Sequence, residues 1–202
     1  MLEGRNVVVY DLEIKKTIDQ CSKGWASHDE MGISVGCAYD YRSEKFRVFM
    51  DDNMQELVDR LNEPQTIVVA FNHINFDNKL LRASGFNLKP DSELKNYDML
   101  QVSRDGAGLS VNARVPGFKL DQHLETLGLP MKTGDGAMAP IWWQEGKIGK
   151  VIDYCMNDVT QEKNLFEFMV KFGKCGSAHK SFYSVLSPYQ WFTSKKELKK
   201  TA

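Results

Sequence analysis

Carboxylates at three places along the chain are spaced in a way that could do chemistry: Asp11-Leu12-Glu13, Asp77, and Asp158 four residues after Tyr154. Hard divalent cations take oxygen ligands, so converging carboxylates can hold two of them about 4 Å apart. That arrangement stabilises the attacking, transferred and leaving oxygens of a phosphoryl displacement. Each motif also has an ordinary structural reading. A lone D-x-E describes any solvent-exposed strand end, a Tyr and an Asp four apart describe one flank of a helix, and an Asp after a strand describes an N-cap.

The elements that must position these groups can be read from periodicity. Val7-Val8-Val9-Tyr10 is a β-branched and aromatic run that predicts a buried strand leading into Asp11. Alternation along a strand then turns Asp11 and Glu13 to one face and Leu12 to the other. Two more strands, MGISVGCAYDY and KFRVFM, are joined by a turn-like RSE and predict a hairpin. A helix is expected over DDNMQELVDRLN, a strand over residues 66–71, and a helix over NKLLRASG, so Asp77 falls where a strand hands over to a helix. NYDMLQVSR reads as a short strand, residues 105–117 as a loop, FKLDQHLETLG as a helix and PMKTGDGAMAP as a loop. Over residues 146–172, Ile148, Val151, Ile152, Cys155, Val159, Phe166 and Met169 recur at helical spacing before Gly173. Tyr154 and Asp158 lie on the flank of that stripe.

The bulk numbers set bounds. A chain of 202 residues fits one domain able to bury a core, and 42% hydrophobic with 26% charged residues is ordinary globular composition. A net charge of -1 excludes a globally basic surface, so any grip on nucleic acid rests on a local patch. Cys21, Cys37, Cys155 and Cys175 have no zinc-ligand spacing and read as reduced thiols. No signal peptide and no membrane-spanning run is legible, and the expectation is a soluble, intracellular, cytoplasmic protein without a membrane partner.

In their order, the three motifs resemble those of the DEDD superfamily of 3′-to-5′ exonucleases. Asp11-Leu12-Glu13 matches its D-x-E; Asn72 through Phe76-Asp77 matches N-x-x-x-F-D, in the form used by the proofreading domains of family B DNA polymerases; Tyr154 to Asp158 matches Y-x-x-x-D. The likeness runs over residues 7–172. Tyrosine rather than histidine resembles the DEDDy branch, whose His-bearing counterpart would carry its His where Asp153 stands. The resemblance implies an α/β ribonuclease H-like fold with a central mixed sheet of about five strands flanked by helices. It implies hydrolysis of DNA, single-stranded favoured, to nucleoside monophosphates with two Mg²⁺ or Mn²⁺ ions. Asp11, Glu13 and Asp158 would hold one ion, Asp11 would share the second, Asp77 would act through surrounding water, and Tyr154 would orient the attacking water. Leu12, Asn72 and Phe76 would contact the terminal nucleotide. An exoribonuclease or a non-catalytic nucleic-acid-binding module are the alternatives, and replication or repair proteins are candidate partners.

The expected organisation is an exonuclease domain over residues 1–175, standing alone without a polymerase, and a C-terminal extension over 176–202 with a basic tail at Lys195, Lys196, Lys199 and Lys200. Residues 14–31, with Lys15, Lys16, Lys23, Trp25 and His28, match no family element; they either close over a substrate end or form a plain loop. Trp142 and Trp143 read as an extended pair offering a stacking surface or core packing. Asp98 and Asp121 read as surface acids outside the site, and His73 as no ligand.

Overall fold

The computed structural model describes residues 5–131 and 136–200. The polar N-terminal segment and part of the loop expected over residues 130–140 lie outside the described residues. So do the side chains of the C-terminal lysines.

A five-stranded mixed sheet has the order β3-β2-β1-β4-β5. β1 (Val7–Ile14) is its middle strand, longer than the apolar run foretold because it carries straight through Asp11 and Glu13. After two 3-10 turns and the short α1 (His28–Met31), β2 (Ile33–Asp40) and β3 (Lys45–Phe49) form the expected antiparallel meander on one side of β1. α2 (Met54–Asn62) crosses back to β4 (Ile67–Ala70), which runs parallel to β1 on its other side. α3 (Asp77–Ala83) leads to β5 (Lys95–Asp98), parallel to β4. α4 (Met99–Gly106), α5 (Leu120–Leu127), α6 (Ala139–Gln144) and the long α7 (Ile148–Phe172) follow. A hairpin of β6 (Lys174–Ser177) and β7 (Lys180–Ser184), then α8 (Pro188–Lys200), complete the described chain. No helix among the described residues is long and apolar enough to cross a membrane.

The period-two rule divides the core. Val7 and Val9 join a cluster with Val151, Cys155, Val159, Phe166 and Met169 of α7. Val8, Tyr10, Leu12 and Ile14 join a second cluster with Met54, Leu57, Val58 and Leu61 of α2 and Leu80 and Leu81 of α3. Each fully buried side chain of this size contributes about 1.5–3 kcal/mol, against roughly 0–1 kcal/mol for a surface ion pair. Apolar burial on both faces is therefore what fixes β1 in register, and the acidic residues near its end follow that register.

Two local expectations are corrected. NYDMLQVSR is a strand only as far as Asp98: the Asp98 carboxylate accepts the main-chain N–H groups of Leu100 and Gln101 and caps α4, so the β-like run Met99–Val102 coils into a helix. Trp142 and Trp143 are helical rather than extended, because Pro140 opens α6 in its first turn, where the missing N–H costs nothing.

The end of α4 packs directly on the β6-β7 hairpin. A Cβ on Gly106 would lie inside contact distance of the Ser184 carbonyl oxygen and close to Val185 and Tyr183. Main chain cannot rotate aside as a side chain can, so Gly106→Ala is expected to destabilise the protein by about 1–3 kcal/mol in urea unfolding. A midpoint equal to that of the wild type would show that the hairpin is not held against α4.

Candidate active site

β4 ends its pairing with β1 at Val69 opposite Val9, while β1 runs on to Ile14. Asp11 and Glu13 remain paired on the other side, opposite Cys37 and Val35 of β2. One edge of β1 is thus left without a strand partner beside its two carboxylates, and residues 71–77 occupy that side. Asn72 turns the chain there with a left-handed φ of 69°, a conformation Asn tolerates better than most side chains.

Asp98 builds this turn. Besides capping α4, its two oxygens accept the main-chain N–H groups of Asn72 at 3.1 Å and Ile74 at 3.2 Å. Sequence reading left it among the surface acids, yet it is fully buried. An Asp standing three residues before Gln101, where its side chain can accept the N–H groups that open a helix, was the available signal. His73 is also fully buried, both of its ring nitrogens engaged within the protein, by the Ala70 carbonyl at 3.2 Å and the Asn96 side-chain oxygen at 3.1 Å.

The turn delivers Asp77 as the first residue of α3. Its carboxylate is not the helix cap: the N-cap residue is Phe76, and Asp77 Oδ1 is buried without a hydrogen-bond partner among the described residues. Burial pushes the Asp77 carboxyl up to about 7. Its own N–H opposes this, the charge of Asp98 adds to it, and the Leu12 N–H opposes it again. Leu12 itself turns to the opposite layer and packs near Gly36 and Met54.

α7 closes the other side. Tyr154 and Asp158 lie one turn apart, both buried, and the ring of Trp142 on α6 meets Tyr154 edge to face with centroids 6.1 Å apart. The Cys155 thiol donates to the Asp11 main-chain oxygen at 3.4 Å and approaches Asp11 Oδ2 at 3.8 Å, fastening α7 to β1. Burial, a hydrogen bond with Cys37 and the Asp11 charge all push the Cys155 thiol up, so it remains protonated.

Asp11 senses the whole cluster. Burial raises its carboxyl well above the usual range, followed by the charges of Glu13, Glu162, Asp158 and Asp77. Glu162, which sequence reading missed, is raised likewise by burial and then by Asp77, against a hydrogen bond from the Phe71 N–H. Among the described residues no Lys or Arg forms an ion pair with Asp11, Asp77 or Glu162. Donor atoms of Asp11, Glu13 and Cys155 lie within 4.8 Å of one another. Opposed ligands of a Mg²⁺-sized ion stand about 4.2 Å apart, so this group is of the right size, and its two carboxylates are the donors a hard cation prefers to a neutral thiol. Asp77 and Asp158 fall outside that tight group but inside its field. A group of like-charged carboxylates, with Asp77 Oδ1 and Glu162 Oε2 buried and unpartnered among the described residues, therefore fits divalent cations.

The segment 14–31 folds across one flank. Gln144 of α6 donates to the Lys15 carbonyl at 2.9 Å and to Gln20 Oε1 at 2.8 Å, and Lys15 Nζ stands 5.4 Å from the Trp143 ring centroid. At its far end Trp25 and His28 pack on Phe76, with ring centroids 5.7 and 5.6 Å away. Trp25 is nonetheless 66% exposed. Asn72 and Phe76 are half-buried beside it.

No protein-family model and no curated protein matches the sequence. Among solved structures, the family B DNA polymerase of Pyrobaculum calidifontis superposes with a TM-score of 0.61 at 16% identity, over 82% of this chain and 24% of the polymerase. E. coli exonuclease I bound to single-stranded DNA and zinc gives a TM-score of 0.45 at 15% identity, over 82% of this chain and 43% of that enzyme. A product-bound exonuclease I gives 0.43 at 15%, over 82% and 46%. The chain thus spans less than half the length of each of these proteins. The fold is ribonuclease H-like, as the motif order implied, with the expected five-stranded mixed sheet.

The electrostatics set a pH dependence. Carboxyls whose pKa folding raises favour the folded state when protonated, so without cations their contribution is fully present below about pH 4 and is lost as pH rises through about 7. Divalent cations bind the ionised form and oppose that loss. In chelator the melting temperature is expected to fall between pH 5 and pH 8, and Mn²⁺ is expected to restore it by roughly 5 °C or more at pH 8 but little at pH 5. Equal Mn²⁺ shifts at both pH values would rule out a cation site among these carboxylates.

Proposed function

We propose that this chain is a metal-dependent 3′-to-5′ exonuclease of the DEDDy type that removes nucleoside monophosphates from the 3′ end of DNA, with single strands favoured. The observation that carries this reading is the meeting of Asp11 and Glu13 on β1, Asp77 at the start of α3 and Asp158 on α7, with Tyr154 one turn before Asp158 on the same helix. These are the residues, and the chain order, of the family's motifs.

Asp11, Glu13 and Asp158 would hold Mg²⁺ or Mn²⁺, with Asp77 completing the anionic wall. When bound, two such cations neutralise the carboxylates and stabilise charge on the attacking, phosphoryl and leaving oxygens. Tyr154, its ring held by Trp142, presents a hydroxyl that orients the attacking water. Phe76 and the exposed face of Trp25 offer an aromatic surface for an unpaired terminal base, which favours single strands over duplex. Lys16 and Lys23 on the same segment are exposed and suited to backbone phosphates, so binding should weaken with salt.

A time course on 3′- and 5′-labelled single- and double-stranded DNA and RNA, with Mg²⁺, Mn²⁺ or chelator, tests polarity and substrate together. Asp11→Ala or Asp158→Ala is expected to leave a folded protein and lower the rate by about 10³-fold or more, while Tyr154→Phe lowers it by about 10- to 100-fold. Undiminished hydrolysis by Asp158→Ala would sink the assignment. Trp25→Ala is expected to raise KM for single-stranded DNA by about 5- to 100-fold with kcat nearly unchanged, as the loss of one stacking partner implies. An unaltered KM would place the base elsewhere.

A further inference from the structure

α7 carries its apolar stripe with one interruption. Val151, Cys155, Val159, Phe166 and Met169 are all fully buried in the core, and the helical period that links Val159 to Phe166 passes through position 162. A glutamate stands there, only 3% exposed. Burying a carboxylate at a core position costs several kcal/mol unless something compensates it. Half of the compensation is visible: Glu162 Oε1 accepts the Phe71 main-chain N–H at 3.0 Å, at the point where β4 ends and the Asn72 turn begins. The other oxygen, Oε2, is buried with no hydrogen-bond partner among the described residues.

Glu162 Oε1 is bonded to the main chain at the head of the segment that leads to Asp77. Glu162 is one turn beyond Asp158 on α7, and the charges that act on it belong to Asp77, Asp158 and Asp98. At Asp11 its influence ranks above those of Asp158 and Asp77, behind only Glu13 among charged neighbours. A core glutamate that needed only a structural partner would face its hydrogen-bond donor and nothing else. This one joins the helix that bears Asp158 to the segment that leads to Asp77.

We infer that Glu162 is a fifth carboxylate of the cation site, a positioning residue that ties α7 to the Asn72 turn through Oε1 and, through the charge on Oε2, raises the site's affinity for divalent cations. The inference rests on the cation-dependent reading given above. Glu162 does not belong to the tight group that holds Asp11 and Glu13, so it would act on bound cations through its charge rather than as a ligand within that group. Outer carboxylates of this kind commonly change metal affinity by about 10- to 100-fold.

The test is direct Mn²⁺ binding to the full chain without nucleic acid, followed by the electron paramagnetic resonance signal of free Mn²⁺. Glu162→Gln keeps the shape and an oxygen to accept the Phe71 N–H but removes the charge. It is expected to weaken Mn²⁺ binding about tenfold or more with no loss of fold. Glu162→Asp keeps the charge on a shorter side chain that loses its reach to Phe71, and is expected to bind Mn²⁺ within about threefold of wild type while melting at lower temperature. Asp11→Asn serves as the reference for a damaged site. Wild-type affinity in Glu162→Gln, with binding lost in Asp11→Asn, would overturn the role of Glu162 alone. Equal loss in Glu162→Gln and Glu162→Asp would overturn the assignment to charge. Absence of Mn²⁺ binding in the wild type would overturn both this inference and the cation-dependent reading beneath it.

Discussion

Mutual repulsion among buried carboxylates is the constraint around which the structure is organised. Asp11, Glu13, Asp77, Asp158 and Glu162 lie in one region, most of them largely withdrawn from water; Asp11 is pushed toward protonation by burial and then by the charges of Glu13, Glu162, Asp158 and Asp77, and Asp77 by burial and the charge of Asp98. Such a cluster opposes folding wherever the groups ionise. The surrounding chain must hold it by interactions that do not depend on its charge. Apolar layers on both faces of β1 do this, as do the thiol contact from Cys155 to Asp11 and the hydrogen bond from Phe71 to Glu162.

The turn after β4 shows how a second layer of acids serves the first. Asp98 is buried with every nearby main-chain donor directed at it: two N–H groups from the Asn72 turn and two from the first turn of α4. A carboxylate satisfied in this way is rigid, and it fixes the left-handed Asn72 at little cost. Asp77 stands five residues after Asn72 with one oxygen buried and unpaired among the described residues. Two aspartates in neighbouring elements thus differ: Asp98 is satisfied by four main-chain donors, and Asp77 is not.

Aromatic groups frame the carboxylates on two sides. Trp142 supports Tyr154, and Trp25 with His28 supports Phe76; both supports reach the site through the segment that follows β1, because Gln144 ties α6 to that segment. The segment has no counterpart among the motifs, yet it bridges the flanks of the site.

The sequence by itself determined the strand that bears Asp11 and Glu13, the long helix that bears Tyr154 and Asp158, the order of the motifs and hence the mixed α/β sheet. Periods of two and 3.6 residues are local properties, and the motif order is carried in the chain itself. Tertiary structure alone decided what Asp98, Glu162, Cys155 and residues 14–31 do. Asp98 ended a run whose β-branched and apolar residues read as strand, and its partners come from a turn 26 residues earlier. Glu162 occupies a core position where periodicity asks for an apolar side chain, and its hydrogen bond spans 91 residues. Trp142 and Trp143 looked extended until Pro140 and the packing against α7 made them helical. Whether a buried polar group is structural or chemical depends on which of its lone pairs remain unpaired once distant elements have packed. Local sequence patterns do not carry that information.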